Sequence, residues 1–371
     1  MSPLSPWLGL WATSIAAGRG ALDLAERMLG AEEAEHARSP DRIREWASPN
    51  RVLLELPTMR LRTFEAEVPG PSAIVVAPYA LHSAMTADFA TGHSVVETLL
   101  AGGIGRVLVT DWRSATPAQG CMGVDACLAD LNVAVDELGP PAAMAGLCQG
   151  GWLAAVYAAR FPAKVSRLAI VGAPLDLDAA PSALRELVRN TPSETIREMI
   201  TLGNGVMLGQ ITRSTWSIPD PGPQEIANTL QLRRVPSALA AQFLSWNDDI
   251  VDLPGAFYVE TAERIFRDNL LACGAYPALG REVGLTDIAC PVHLLAGRGD
   301  EIVAPAQLLA FADVHRSPDQ ASARLVDGSH LSLFMGRITL RQEWTRIAAF
   351  LSGIGKGRPP KPVRRGSPHH A

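Results

Sequence analysis

The sequence predicts an α/β fold, with a mostly parallel sheet, helices on both faces and an inserted, mainly helical lid. From about Ser72 onward, short apolar runs typical of buried strands alternate with segments whose apolar residues recur at helical spacing. Such alternation is typical of a parallel sheet covered by helices on both sides. Residues 178–284 interrupt the alternation with helical and loop patterns and few strand patterns, so we expect an insertion there.

The strand and helix patterns divide the chain into five parts. The predicted strands are, in order, AIVVAPYAL, RVLVTDW, AAMAGL, RLAIVGAPLDL, PVHLLAGRGD and SARLVDGSH, and the clearest helices are GVDACLADLNVAVDELG, WLAAVYAARF and LRQEWTRIAAFL. The predicted parts are an N-terminal helical segment (1–48), a first core part (49–177), a lid (178–284), a second core part (285–354) and a disordered basic tail (355–371).

Composition limits the classes of function. The 371 residues are 47% hydrophobic, which is enough for one large core, and the formal net charge is −5. Without a basic stripe in the body, we expect no nucleic-acid partner. The five cysteines are odd in number and scattered, so we expect neither a disulfide framework nor a metal site, and a cytoplasmic location.

The N-terminal apolar stretch PWLGLWATSIAAGRGALDLAERML is too short and too interrupted to span a bilayer, so the chain is not expected to be transmembrane. We interpret the stretch as a helix packed on the body, and the alternative is a surface helix that contacts a lipid-like or polymer phase.

The segment Gly146-Leu147-Cys148-Gln149-Gly150 matches the pattern Gly-x-Ser-x-Gly, with a cysteine in place of the serine. A strand is predicted before it and a helix after it, which is the context of a sharp nucleophile turn. The pattern therefore predicts that Cys148 faces a cleft above the sheet as a nucleophile. The alternative is an inert, buried cysteine in a glycine-rich turn.

A catalytic thiol needs a base to take its proton and a group that orients the base. Asp300 ends the strand HLLAGRGD and His330 follows the strand ARLVDGSH, so both lie at the carboxyl ends of strands, where open α/β sheets bind ligands. The order Cys148, Asp300, His330 fits a nucleophile–acid–histidine triad. Glu301, next to Asp300, is a weaker candidate for the acid.

Two backbone N–H groups are expected to form an oxyanion hole, and no cofactor is expected. One N–H belongs to Gln149, directly after the nucleophile, and the other to Tyr79 or Ala80 in the loop after the first predicted strand. His82, in the same loop, is interpreted as a solvated histidine, and the alternative is that it lines the site.

Several segments together resemble one enzyme group. These are DFATGHSVVETLLAGGIGRVLVTDWRSA before the nucleophile, LCQGG around it, DLPGAFYVETAERIFRDNLLACG, GDEIVAP and GSHLSLFMGRITLRQEWTRIAAFL. From about Asn50 to Gly353 the chain resembles the polyhydroxyalkanoate synthases and intracellular polyhydroxyalkanoate depolymerases, which are α/β-hydrolases with a Cys-Asp-His triad. The ending and the segment DLPGAFYVETAERIFRDNLLACG look closer to the depolymerases.

The resemblance implies chemistry on 3-hydroxyalkanoate esters. The preferred hypothesis is hydrolysis of polyester or oligoester bonds through an acyl-cysteine. The first alternative is a synthase-like acyltransferase that uses a hydroxyacyl-coenzyme A thioester. The second alternative is a non-catalytic protein associated with polymer granules. The expected partners are thus a polyester, oligoester or acyl thioester substrate and a polymer granule surface, while the sequence carries no signal for the oligomeric state.

Overall fold

The computed structural model describes residues 45–216 and 220–353. The predicted basic tail and all but the last four residues of the predicted N-terminal helical segment lie outside the described residues. Within residues 45–216 and 220–353, no helix combines the length and the apolar character needed to cross a membrane.

The core is an eight-stranded sheet. Its strands are β1 (Arg51–Glu55), β2 (Met59–Glu65), β3 (Ser72–Val76), β6 (Arg106–Trp112), β7 (Ala142–Leu147), β8 (Val165–Val171), β13 (Val292–Gly297) and β14 (Ala321–Val326). Their order across the sheet is β1-β2-β6-β3-β7-β8-β13-β14. The pairs β1–β2 and β2–β6 are antiparallel, and the six strands from β6 to β14 are parallel to one another.

Three short antiparallel pairs accompany the main sheet. They are β4 (Asp88–Ala90) with β5 (His93–Ser94), β9 (Val206–Met207) with β10 (Leu253–Pro254), and β11 (Tyr276–Ala278) with β12 (Arg281–Val283).

Helices of the described residues fall into two groups by position. Those outside the predicted lid are α1 (Val95–Ala101), α2 (Val124–Leu138), α3 (Gln149–Arg160), α11 (Pro305–Leu309), α12 (Phe311–Val314), α13 (Ser332–Met335), α14 (Arg337–Thr339) and α15 (Thr345–Ser352). Those within residues 178–284 are α4 (Ala183–Asn190), α5 (Ser193–Leu202), α6 (Gly209–Thr215), α7 (Pro223–Leu230), α8 (Ser237–Asn247), α9 (Gly255–Glu260) and α10 (Leu270–Cys273). Two π-helical stretches, Thr261–Arg267 and Leu340–Trp344, follow α9 and α14.

The predicted fold class is confirmed: the sheet is mostly parallel and helices cover it. All six predicted strands belong to the main sheet, and RVLVTDW and AAMAGL coincide with β6 and β7. The antiparallel strands β1 and β2 were missing from the sequence prediction. They lie at one end of the sheet, where β1 is only partly buried and β2 alternates buried residues with the half-buried Arg60 and Arg62.

Aromatic stacking joins the insertion to the sheet around the start of α3. Phe257 of α9 packs between Tyr79, which follows β3, and Trp152 of α3, with ring centroids 5.1 and 6.3 Å away. Backbone bonds add to this contact, because Val251 N–H donates to Leu81 O and Ala115 N–H to Asp252 O, both at distances below 3.0 Å. The insertion therefore docks on the loops that follow β3 and β6.

Candidate active site

Cys148 lies at the turn between β7 and α3 with a strained backbone. Its φ of 50° and ψ of −122° are rare for a residue with a side chain, and the surrounding structure must hold such a conformation in place. The Cys148 N–H donates to Val171 O at the end of β8, at 2.9 Å. This bond ties the turn to the neighbouring strand.

Three glycines around Cys148 allow backbones to meet that a side chain would separate. A Cβ added at Gly150 would lie 2.1 Å from Val76 O, and one added at Gly146 would lie 2.5 Å from the Cα of Gly151. A Cβ at Gly151 itself would lie 2.5 Å from that of Ala173. The turn is thus shaped by direct backbone contact, which is why the motif needs glycine at these positions.

The structure brings the predicted thiol, histidine and carboxylate into one hydrogen-bonded chain. His330 Nε2 lies 3.1 Å from Cys148 Sγ, and His330 Nδ1 lies 2.8 Å from Asp300 Oδ2. The other oxygen, Asp300 Oδ1, accepts the N–H groups of Ile302 and Val303 at 3.0 and 2.8 Å. The carboxylate is therefore fixed on one side by backbone and presents its second oxygen to the imidazole.

Burial and charge act on His330 in opposite directions. The side chains of His330 and Asp300 are only 6% and 1% exposed. Burial lowers the pKa of His330, but the charges of Cys148 and Asp300 and the hydrogen bonds to both outweigh it and raise that pKa well above its ordinary value. The site therefore favours an imidazolium beside the sulfur of Cys148.

Glu301, the weaker candidate for the acid, contacts the histidine at a different point. Its carboxylate accepts the backbone N–H of His330 at 3.3 Å, whereas the imidazole bonds to Asp300. The two adjacent acids thus hold the ring and the backbone of the same histidine.

The loop expected to supply part of the oxyanion hole borders the nucleophile turn. Val76 O and Ala77 O lie against Gly150, and Gln149 is the first residue of α3, where a helix has no acceptor for the backbone N–H. Tyr79 is fixed by its hydroxyl, which donates to Arg113 O at 2.7 Å, and by stacking on Trp112. That Gln149 and Tyr79 or Ala80 donate to an oxyanion stays a prediction.

The interpretation of His82 as a solvated loop residue is wrong. Its ring centroid lies 4.3 Å from that of Trp246 in α8, and its backbone N–H donates to Ala80 O at 2.7 Å. Burial and the charge of Arg213 lower its pKa to about 4, so the ring is neutral at pH 7. The apolar partner comes from a segment more than 160 positions away in the sequence, and no local pattern indicates it.

Two residues that border the imidazole were missed by the sequence analysis. The Phe334 ring packs edge to face on the His330 ring, with their centroids 5.4 Å apart. Phe334 follows His330 by four residues, a helical spacing from which the contact could have been predicted. Gly172 has a φ of +57°, and a Cβ there would lie 2.9 Å from Leu333 Cδ1 and 3.5 Å from His330 Cε1. A larger residue at Gly172 would therefore clash with Leu333 and crowd the His330 ring.

Metal ligands do not gather in the described ranges 45–216 and 220–353, where no group of three His, Cys, Asp or Glu side chains is placed to hold an ion. All five cysteines fall in these ranges and are free thiols.

Comparison with known proteins gives both a fold family and a set of relatives. A family profile described as the alpha/beta hydrolase fold matches residues 106–336. The poly(3-hydroxyalkanoate) polymerase subunit PhaC of Haloarcula marismortui is 25% identical over 87% of this chain and 72% of its own length. The protein of the same name from Synechocystis sp. is 24% identical over 89% of this chain and 91% of its own.

Solved structures agree on the fold. A putative non-heme bromoperoxidase, BpoC of Mycobacterium tuberculosis, has a TM-score of 0.51 at 15% identity, covering 82% of this chain and all of its own. A monoacylglycerol lipase of Paleococcus ferrophilus has a TM-score of 0.51 at 18% identity, covering 80% of this chain and all of its own.

These sequence relatives are named as polymerases. They therefore do not support the expectation that the chain is closer to the depolymerases. The chain belongs to the α/β-hydrolase fold family and is a homologue of the PhaC polyhydroxyalkanoate polymerases.

Proposed function

We propose that the protein is a polyhydroxyalkanoate synthase-like acyltransferase that moves a 3-hydroxyacyl group from coenzyme A, through Cys148, to the hydroxyl end of a growing polyester. One observation carries the proposal. A cysteine, hydrogen-bonded to a buried histidine–aspartate pair, occupies the nucleophile turn of a chain whose relatives over most of its length are polymerases.

In the first half-reaction, the Cys148 thiolate attacks the thioester carbonyl carbon and forms a tetrahedral oxyanion. The N–H of Gln149, with that of Tyr79 or Ala80, donates to this oxygen. The carbon–sulfur bond to coenzyme A then breaks, and the departing thiolate takes the proton from the His330 imidazolium. The products are an acyl-cysteine, free coenzyme A and a neutral His330.

In the second half-reaction, the neutral His330 acts as a base. It takes the proton of the hydroxyl at the chain end while that oxygen attacks the acyl-cysteine carbonyl. The carbon–sulfur bond to Cys148 breaks, and the sulfur leaves as a thiolate beside the new imidazolium. Asp300, held by two backbone N–H groups, keeps the ring in orientation and stabilises its charged form in both halves.

A thiol nucleophile suits transfer for an energetic reason. The acyl-cysteine is a thioester like the donor, so the first step conserves the free energy that ester formation then uses. Hydrolysis by the same residues would have water replace the chain hydroxyl, and the triad geometry is identical for both reactions. We therefore prefer transfer because of the polymerase relatives, and hydrolysis becomes an outcome of the test.

The non-catalytic alternative is the least supported. A granule-associated scaffold does not require a cysteine on a strained backbone whose thiol is aligned with a buried imidazole and carboxylate. The proposed substrates, an acyl thioester and a polyester end, place the reaction at the surface of the polymer granule.

The test uses two parallel incubations of the full chain, one with 3-hydroxybutyryl-coenzyme A and one with amorphous polyhydroxybutyrate. We expect coenzyme A release with polymer growth in the first and little free acid in the second. Cys148→Ala, which removes only the sulfur, is the matched control for both. Release of 3-hydroxybutyrate from the polymer, without growth from the thioester, would establish the hydrolase instead. Activity in neither incubation would support the non-catalytic alternative.

A further inference from the structure

Gln231 joins the insertion to the end of the loop that carries His330. It follows helix α7, more than 90 positions before that loop in the sequence. Its Oε1 accepts the N–H groups of Ile338 and Thr339 at 2.8 and 2.9 Å, and its Nε2 donates to Thr339 Oγ1 at 3.0 Å. The Thr339 hydroxyl also donates to Oε1 at 3.3 Å, so one carboxamide makes four hydrogen bonds to α14.

The same carboxamide lies near both glycines that bracket His330. A Cβ added at Gly336 would lie 2.6 Å from Gln231 Oε1, and one added at Gly328 would lie 3.5 Å from Gln231 Nε2. Gly328 precedes His330 by two positions and Gly336 follows it by six. The Gln231 side chain thus lies close to both ends of the histidine loop, residues 328–336.

The backbone at Gln231 is held in an unusual conformation. Its φ of 53° and ψ of 45° are left-handed, and within the described ranges it shares a positive φ with only five other non-glycine residues, one of which is Cys148. A strained conformation persists only where the surrounding structure holds it, and such positions concentrate at functional sites. Here the strain turns the chain so that the carboxamide reaches α14.

We propose that Gln231 is a positioning residue that couples the position of helix α7 to the placement of the His330 imidazole against Cys148. The carboxamide fixes α14, which directly follows the histidine loop, and lies near both ends of that loop, so loss of its bonds lets the ring move away from the sulfur. The inference rests on the proposed function in using the Cys148–His330 pair, but it is independent of whether a hydroxyl or water resolves the acyl-cysteine.

A set of variants isolates the carboxamide. Gln231→Gly keeps the left-handed backbone and removes the side chain, whereas Gln231→Glu retains an oxygen for the N–H groups of Ile338 and Thr339. Gln224→Ala is the matched control, because Gln224 is an exposed glutamine of the same helix that bonds the Asn228 side chain. All variants carry Cys121→Ser and Cys273→Ser, which remove the two exposed thiols.

The readout is the rate of Cys148 alkylation by iodoacetamide across pH 5–9, followed by mass spectrometry, with thermal unfolding in parallel. This rate reports the imidazolium beside the sulfur and requires no substrate turnover, so it stays informative even if the proposed function fails. We expect Gln231→Gly to slow alkylation below pH 7 by about tenfold, Gln231→Glu to restore it to within about twofold, and Gln224→Ala to match the parent protein.

Unchanged alkylation in Gln231→Gly at every pH would overturn the proposal, whatever happens to thermal unfolding. If Gln231→Gly does not fold, Thr339→Val decides, because it removes only the Thr339 hydroxyl and with it that hydroxyl's two bonds to the Gln231 carboxamide. We expect about threefold slower alkylation for that variant. A rate equal to that of the parent protein would overturn the proposal.

Discussion

The nucleophile turn and the histidine loop reach the same site by different means. The turn is held by its own backbone: Cys148 has a strained conformation, and neighbouring main-chain and Cβ atoms leave no room for a Cβ at Gly146, Gly150 and Gly151. The histidine loop is held by side chains from elsewhere, among them Glu301 on the His330 N–H. A short local motif therefore determines the turn, whereas contacts between distant segments determine the loop.

This difference predicts that changes in the turn act in an all-or-none manner and that changes around the loop act in graded steps. The turn lacks room for adjustment, since its contacts are between backbones. The loop has several independent attachments, such as His93 Nδ1 donating to Met335 O and Trp344 Nε1 donating to Leu333 O. Loss of one attachment leaves the others in place.

The largest effect is expected for Cys148→Ala. Removal of the attacking sulfur should lower turnover by roughly 10⁴-fold or more, with little change in thermal unfolding, because the side chain is only half-buried. Cys121→Ala, at an exposed cysteine outside the site, should leave turnover unchanged. Turnover by Cys148→Ala within tenfold of the wild type would contradict a covalent mechanism through this sulfur.

Gly150→Ala should disrupt the turn as a whole. Its Cβ would lie 2.1 Å from Val76 O, so β3 and α3 must move apart, at a cost of about 3 kcal/mol in the free energy of unfolding together with loss of activity. Gly222→Ala places its Cβ 3.7 Å from the nearest atom and should cost about 1 kcal/mol at most. Urea unfolding of the two variants measures the contrast, and equal costs would show that the turn is not constrained by backbone contact.

Asp300→Asn should slow turnover while preserving the loop. The amide oxygen can still accept the N–H groups of Ile302 and Val303, but an amide nitrogen facing His330 Nδ1 cannot stabilise the imidazolium. We expect a loss of about 10²–10⁴-fold in kcat with KM changed much less. A silent Asp300→Asn combined with a large effect of Glu301→Gln would transfer the acid role to Glu301.

The stability of the protein should depend on pH through His330. Because its pKa in the folded state is raised above the ordinary value of 6.5, the protonated ring stabilises the fold. This contribution is fully present below about pH 6.5 and is lost as the pH rises through the folded-state pKa. In urea unfolding, the stability difference between wild type and His330→Gln should therefore shift in favour of the variant as the pH rises. A difference independent of pH would contradict the raised pKa.

Glu301→Gln should give the smallest effect. The amide oxygen can still accept the His330 N–H, which is 3.3 Å from the present carboxylate, and the side chain is exposed. We expect a loss of turnover of about threefold or less, in line with one hydrogen bond at the surface. A loss approaching that of Asp300→Asn would show that the backbone bond matters as much as the ring bond.

The same contrast explains how much the sequence could predict. β7 was predicted to the residue because a fully buried parallel strand has a continuous apolar sequence, and β6 because its Val107–Val109 run is apolar and buried. Cys148, Asp300 and His330 were identified because each lies at or follows the carboxyl end of a predicted strand, and the structure places them in hydrogen-bond contact. Gln231 and His82 depend on partners far away in the sequence, so no local pattern could have indicated their contacts.

The most direct test of the proposed acyl transfer is a pulse–chase experiment on Cys148. The enzyme is pulsed with radiolabelled 3-hydroxybutyryl-coenzyme A, quenched to show label on the Cys148 peptide, and chased with unlabelled thioester. The proposed function predicts that the label leaves Cys148 and appears in polymer, with Cys148→Ala carrying none. Label that leaves Cys148 as free 3-hydroxybutyrate, or that never reaches Cys148, would contradict it.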